Sequence, residues 1–154
     1  MAGQPAFASQ GPPTPPWAPT NNPLLATEPN LIVLASSTKV TANFPVTLGP
    51  FLISTEQFKG VLIFINVTAF SGTSFTAQMQ DVDFLSGAAV NMPGVVTGAI
   101  NATGSTTLLL YPGAQNGAFG ATVAVSGQIP DHWQLVLAGT VTSVTLSISA
   151  LYLR

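Results

Sequence analysis

From Asn30 to the C-terminus no stretch of ten residues keeps a helical period, and this excludes every fold that needs a packed helix. Short β-branched and apolar runs alternate there with Gly, Pro, Asn and Ser punctuation, the pattern of an all-β domain. In "SVTLSISALYLR", Val144, Leu146, Ile148, Ala150 and Tyr152 alternate with Thr145, Ser147 and Ser149, so one face of a strand is buried. Strands are expected at 30–36, 38–44, 46–54, 60–70, 74–84, 95–101, 105–111, 119–126, 132–138 and 143–153. Turns are expected at "SGTS" 71–74, "LSGA" 85–88, "NATGS" 101–105, "YPGAQNG" 111–117 and "SGQIPD" 126–131. About ten short strands at this spacing predict an antiparallel β-sandwich, with a jelly roll as one form it can take.

Two strands break the simple alternation. In "GVLIFINVTAF" the residues Val61, Ile63, Ile65 and Val67 form one face, and Leu62 and Phe64 add apolar groups to the other. Leu151 and Leu153 do the same at the end of the chain. A strand apolar on both faces is either central to a sandwich edge or part of an intersubunit contact. The second reading is favoured, which makes Leu62, Phe64, Leu151 and Leu153 candidate partner-binding positions.

Residues 1–29 are different in texture. They hold eight of the thirteen prolines and no charge before Glu28. Proline lacks the amide donor and fixes φ, so the segment reads as an extended polyproline-II or irregular arm preceding a domain at 30–154. At about 3.1 Å per residue such an arm reaches roughly 90 Å, against a domain roughly 35 Å across. It is long enough to cross neighbouring subunits. Phe7, Pro12, Pro13, Pro16, Trp17, Leu24 and Leu25 are its candidate contact residues, with Trp17 the expected anchor. The "PPTPP" run has PxxP spacing, but no Lys or Arg flanks it as an SH3-type ligand would require.

Charge narrows the function classes. Only 5% of the residues are Asp, Glu, Lys or Arg, against roughly 25% in ordinary domains. Three cations (Lys39, Lys59, Arg154) cannot neutralise a nucleic-acid backbone or form a polybasic membrane patch. No apolar run approaches the roughly 20 residues of a membrane span, and the N-terminus does not read as a signal peptide. Without cysteine there is no disulfide or thiolate site. A surface so poor in charge is kept soluble by hydroxyls and amides, or else is covered by other protein; the second reading is the sharper.

Tests for chemistry give little. His132 is the only histidine, in "IPDHWQL", and no "GxSxG" elbow accompanies it; it reads as the first residue of a strand after a Pro-Asp turn. Asp81 and Asp83 in "MQDVDF" are the one close carboxylate pair. A hard cation wants more oxygens than this stretch supplies, and the pair reads as solvated acids that end a strand. No phosphate loop, dinucleotide glycine set or HExxH helix is present. Trp17 and Trp133 are the possible sugar platforms, which makes a carbohydrate-binding module the rival from another class. Trp133, however, alternates in phase with Leu135 and Leu137, as a core residue would. "NVT" at 66–68 and "NAT" at 101–103 match glycosylation acceptors, a pattern common by chance. The chain therefore reads as non-enzymatic, with no cofactor and no metal.

Three stretches, "KGVLIFINVTAFSGTSFTAQMQDVDFLSG", "MPGVVTGAINATGSTTLLLYPG" and "IPDHWQLVLAGTVTSVTLSISALYLR", resemble in order the small all-β head decoration (cement) and minor capsid proteins of tailed bacteriophages. The likeness covers residues 57–154 and lies in texture and turn placement. It implies a β-sandwich that binds the major capsid protein or other virion subunits, forms a homo-oligomer (often a trimer), and has no enzymatic site. The implied location is the capsid surface of a virion assembled in the host cytoplasm. A neck, tail or other capsid structural component is the neighbouring alternative.

Overall fold

The computed structural model describes residues 31–41 and 44–154. The expected all-β sandwich is what these residues form, from fewer and longer strands than the turn signals predict. They are β1 (Leu31–Thr41), β2 (Val46–Leu52), β3 (Gly60–Val82), β4 (Ala89–Val96), β5 (Gly104–Leu110), β6 (Val123–Val125) and β7 (His132–Leu153), with one 3-10 turn at Ala118–Gly120.

Two strands organise everything. β3 and β7 are 23 and 22 residues long and pair antiparallel along nearly their whole length, from Gly60 opposite Leu153 to Asp81 opposite Trp133. Towards one end this ribbon is flanked by β1 on β7 and β5 on β3, with β6 beyond β5. Towards the other it is flanked by β2 on β7 and β4 on β3. The ribbon bends between the two sets, so its halves lie in opposite layers and share one core. Val61, Ile63, Ile65 and Val67 from the first half of β3 join Phe75, Ala77 and Met79 from the second in a single buried cluster.

The bend explains why "SGTS" misleads. Residues 71–74 do not turn the chain back; they carry register shifts at Ser71/Gly72 and Gly72/Ser74, just after another at Val67/Ala69. An extra residue in one strand of a pair increases twist and changes direction without ending the ladder. Two glycines permit the close approach. A Cβ on Gly139 (φ +155°) would stand 2.2 Å from the Ser74 carbonyl oxygen, and one on Gly72 (φ +141°) 2.7 Å from the Val141 Cα. Across the bend β7 exchanges faces: its buried residues are the odd-numbered Trp133, Leu135, Leu137 and Val141 up to it, and the even-numbered Val144, Leu146, Ile148, Ala150 and Tyr152 after it.

The expected runs at 30–36 and 38–44 likewise merge into β1, whose register shifts at Val33/Ala35 and Ala35/Thr38. The fourth strand occupies 89–96, earlier than the expected 95–101. The Gln78 amide there donates to the Met92 and Val95 carbonyls (3.0 and 3.1 Å), filling the gap opened by a register shift in the β3–β4 pair. Thr97, buried, closes the strand end: its hydroxyl accepts from the Ala77 N–H at 2.9 Å. The sheet is mixed, since β5 and β6 run parallel while the other pairings are antiparallel. The described residues form seven strands, one short of a jelly roll.

A second, smaller cluster lies on the outer face of β3, β5 and β7. Leu62, Leu109 and Ala121 are buried there, with Tyr111, Ala114, Ala118, Ala124, Leu151 and Leu153 packed around them. The segment between β5 and β6 folds over this face. This corrects the expectation that Leu62 is an exposed contact residue: it is 5% exposed and covered from within its own chain. Leu151 and Leu153 are half-buried against the same cluster. Of the four positions expected on outer strand faces, Phe64 alone is open, at 39% exposure.

Candidate functional site

The bend sets one end of the sandwich apart from the other. At the end away from it lie the start of β7, the ends of β2 and β3, and the start of β4, where Leu52 pairs with His132 and Asp81 with both Trp133 and Val90. The loops at 53–59 and 126–131 close this end: the Ile53 N–H donates to the Asp131 carbonyl (2.9 Å) and the Ile129 N–H to that of Lys59 (3.2 Å). The Thr55 hydroxyl donates to the Asp131 carboxylate at 2.7 Å and holds the two loops together.

Six of the eight charged residues sit here: Glu56, Lys59, Asp81, Asp83, Asp131 and Arg154. Glu28 and the side chain of Lys39 lie outside what is described. Hydroxyls and amides occupy the outer faces instead. On one, the Gln134 amide donates to Gln80 (2.6 Å), whose amide donates to Asn91 (2.7 Å), a row crossing three strands. On the other, Ser105 donates to Asn66 at 3.1 Å, and Thr107 and Thr122 exchange bonds across the β5 edge.

The same end holds an open groove of about 620 Å³. Asp81, Asp83, Phe84, Val90, Pro130 and His132 contribute to its walls. The Phe84 ring rests on the imidazole of His132, centroids 4.8 Å apart, yet remains 74% exposed. Leu85, Val90 and Leu52 are exposed by 92%, 68% and 73%, so with Phe84 this end carries most of the exposed large apolar side chains among the described residues, Phe64 and Phe119 lying elsewhere. A turn rich in apolar groups departs from the polar composition that turns normally show. "DFLSG" carries that signal, which a reading centred on strand faces passes over.

Two of the three carboxylates in the groove are engaged locally. Asp83 accepts from the Leu85 and Ser86 backbone N–H groups (3.3 and 3.2 Å) and from the Ser86 hydroxyl, so it organises the turn that carries Phe84. The Ser86 hydroxyl, followed by the two backbone donors, holds its carboxyl below the usual value. Asp131 accepts from Thr55, as above. The Asp81 carboxylate has no donor among the described residues. Asp81 and Asp83 thus differ in role: the first ends the β3 ladder, the second caps the following turn. No group of three His, Asp or Glu side chains suited to a metal ion occurs among the described residues.

His132 opens β7, as expected, and stacks on Phe84. Trp133, the next residue, is fully buried between Phe51 (4.8 Å) and Tyr152 (6.4 Å). Its place in the core follows the alternation with Leu135 and Leu137, and removes it as a sugar platform. The arm residues Phe7, Pro12, Pro13, Pro16, Trp17, Leu24 and Leu25 lie outside the described residues. Among the described residues no helix is long and apolar enough to cross a membrane.

Compared with protein-family models, with characterised proteins and with solved structures, the chain has no match.

Proposed function

We propose that this chain is a non-enzymatic structural protein of a virion, a decoration or cement protein whose sandwich sits on the assembled head while its N-terminal arm clasps neighbouring subunits. One observation carries the reading: the described charged side chains gather at one end of the sandwich, leaving outer faces rich in Ser, Thr, Asn and Gln that also expose Phe64 and Phe119. Charge is depleted in the cores of protein–protein interfaces, where each buried ion must be desolvated. Faces of this composition suit contact with major capsid protein or with further copies of the chain, a trimer being the favoured assembly. A ligand that binds only the assembled shell stabilises it by mass action. No cofactor, nucleic acid or membrane enters this mechanism.

Co-sedimentation with purified capsids tests it. The full chain should pellet with the particles, and a chain lacking residues 2–29 should remain folded but stay in the supernatant. Equal pelleting of both would remove the clasping role from the arm. Failure of the full chain to pellet with heads, combined with its recovery on isolated necks or tails, would move the protein to that part of the particle.

A further inference from the structure

The groove at the charged end lies near the point where the chain enters β1. β1 starts opposite the end of β7, Leu31 paired with Leu151, so the chain enters the sandwich at the end that carries the groove. From there the backbone ladder leads through Leu153, Lys59 and Ile129 to Pro130 in the groove wall, a path of about 25 Å at ordinary strand spacings. Leu31 lies fourteen positions after Trp17, a length of chain that at a polyproline-II rise could span about 40 Å. The groove is within reach of residues 11–25 of the same chain.

The chemistry also matches. "GPPTPPWAPTNNPLL" has no charge, so it brings no second carboxylate to a groove that already holds Asp81, Asp83 and Asp131. Proline-rich sequences of this kind suit aromatic-lined grooves, which take up a pre-stiffened apolar ridge at low entropic cost. Phe84 on His132, with Val90 and Pro130, forms such a lining. Trp17 carries a donor-only indole N–H, and Asp81 is the carboxylate in the groove that lacks a donor among the described residues.

We propose that in the free protein the groove formed by Phe84, Val90, Pro130 and His132 is occupied by residues 11–25 of its own chain, with Trp17 seated on it. A tether this short holds the segment at an effective concentration in the millimolar range, so even weak docking is populated within one molecule. The docked arm covers the exposed apolar groups of the mouth until a partner competes for it. This inference concerns the free chain and does not rest on the virion reading.

Acrylamide quenching of tryptophan emission in the full-length protein tests it, because Trp133, the only other tryptophan, is fully buried. In the wild type both indoles should resist quenching. Phe84→Ser, and the pair Phe84→Ser with Val90→Ser, change exposed side chains and should leave the melting temperature nearly unchanged while raising the quenchable emission several-fold. Trp17→Phe in the same background should abolish that added component. The proposal is overturned if wild-type emission already contains a component quenched as freely as in the urea-unfolded chain. It is equally overturned if the groove variants leave quenching unchanged. Protection of Trp17 that disappears on dilution would assign the groove to the arm of a second copy and overturn docking within one chain.

Discussion

Trp133 and Tyr152 stand near opposite ends of the 22-residue β7, and their rings meet edge to face with centroids 6.4 Å apart. Straight, a strand of that length would span about 70 Å. The contact therefore measures how completely the β3–β7 ribbon bends, and it locates the determinant of the fold in the few residues around Gly72 and Gly139.

Gly139→Ala should destabilise the protein by about 3 kcal/mol or more, since a Cβ there meets backbone atoms and the φ disfavours L side chains. Gly87→Ala is the control: its φ is also positive, but a Cβ there meets nothing within 4 Å, so only about 1 kcal/mol of conformational strain is expected. Urea unfolding of the two variants side by side separates steric contact from backbone preference. Equal midpoints would show that the close approach at the bend contributes nothing.

Trp133→Phe should be milder than the volume lost suggests. The Trp133 indole N–H is the buried side-chain donor without an acceptor among the described residues. The Tyr152 hydroxyl lies near enough to feel it, but no hydrogen bond of acceptable geometry joins them. An unpaired buried donor costs about 1–3 kcal/mol, so Phe recovers part of what the smaller ring loses. A loss under about 2 kcal/mol is expected for Phe against about 3–5 for Trp133→Ala, read from denaturant midpoints.

Alkaline pH should expose Tyr152. Burial pushes its phenol above the ordinary value of 10.0, partly offset by the Trp133 indole. A raised acid stays neutral in the fold while the unfolded chain ionises. Its contribution is thus fully present below pH 10 and lost as pH rises through the folded value. Melting temperature should fall above pH 10 in the wild type and fall less in Tyr152→Phe. Parallel curves for the two would show that Tyr152 is not the group responsible. Asp83 has the opposite sign: its lowered value makes its turn bonds complete above the ordinary carboxylate range and lost only under acid conditions.

Leu62 and Phe64, neighbours on one strand face, should respond differently to serine. Leu62→Ser opens a buried site and should lose about 2–4 kcal/mol. Phe64→Ser removes a partly exposed ring and should lose about 1 kcal/mol or less. Under the virion reading it should also weaken particle binding. A Phe64→Ser protein that pellets with capsids as well as the wild type would take that face out of the interface.

Much of the core was legible residue by residue. Alternation placed Val144 to Tyr152 on one buried face, and phase alone put Trp133 with Leu135 and Leu137. What escaped was long-range. A Gly-Thr-Ser stretch looks the same in a hairpin turn and in a bulged bend, and only the partner strand decides between them. The cover over Leu62 comes from residues some sixty positions away, around Ala121, so the double-sided apolar pattern of β3 fits a self-covered strand as well as an interface. The groove escaped because its parts come from separate loops: "DFLSG" is conspicuous alone, yet nothing local ties it to "IPDH".

The shared ribbon has a consequence for how the molecule is made. Neither layer owns a complete set of strands, because each borrows half of β3 and half of β7. A stable core therefore needs both halves of the ribbon, whose partners lie from 52 positions apart (Asp81 and Trp133) to 93 (Gly60 and Leu153). Such distant closures make folding slow. They also make it cooperative: opened anywhere along the ribbon, the two layers come apart together.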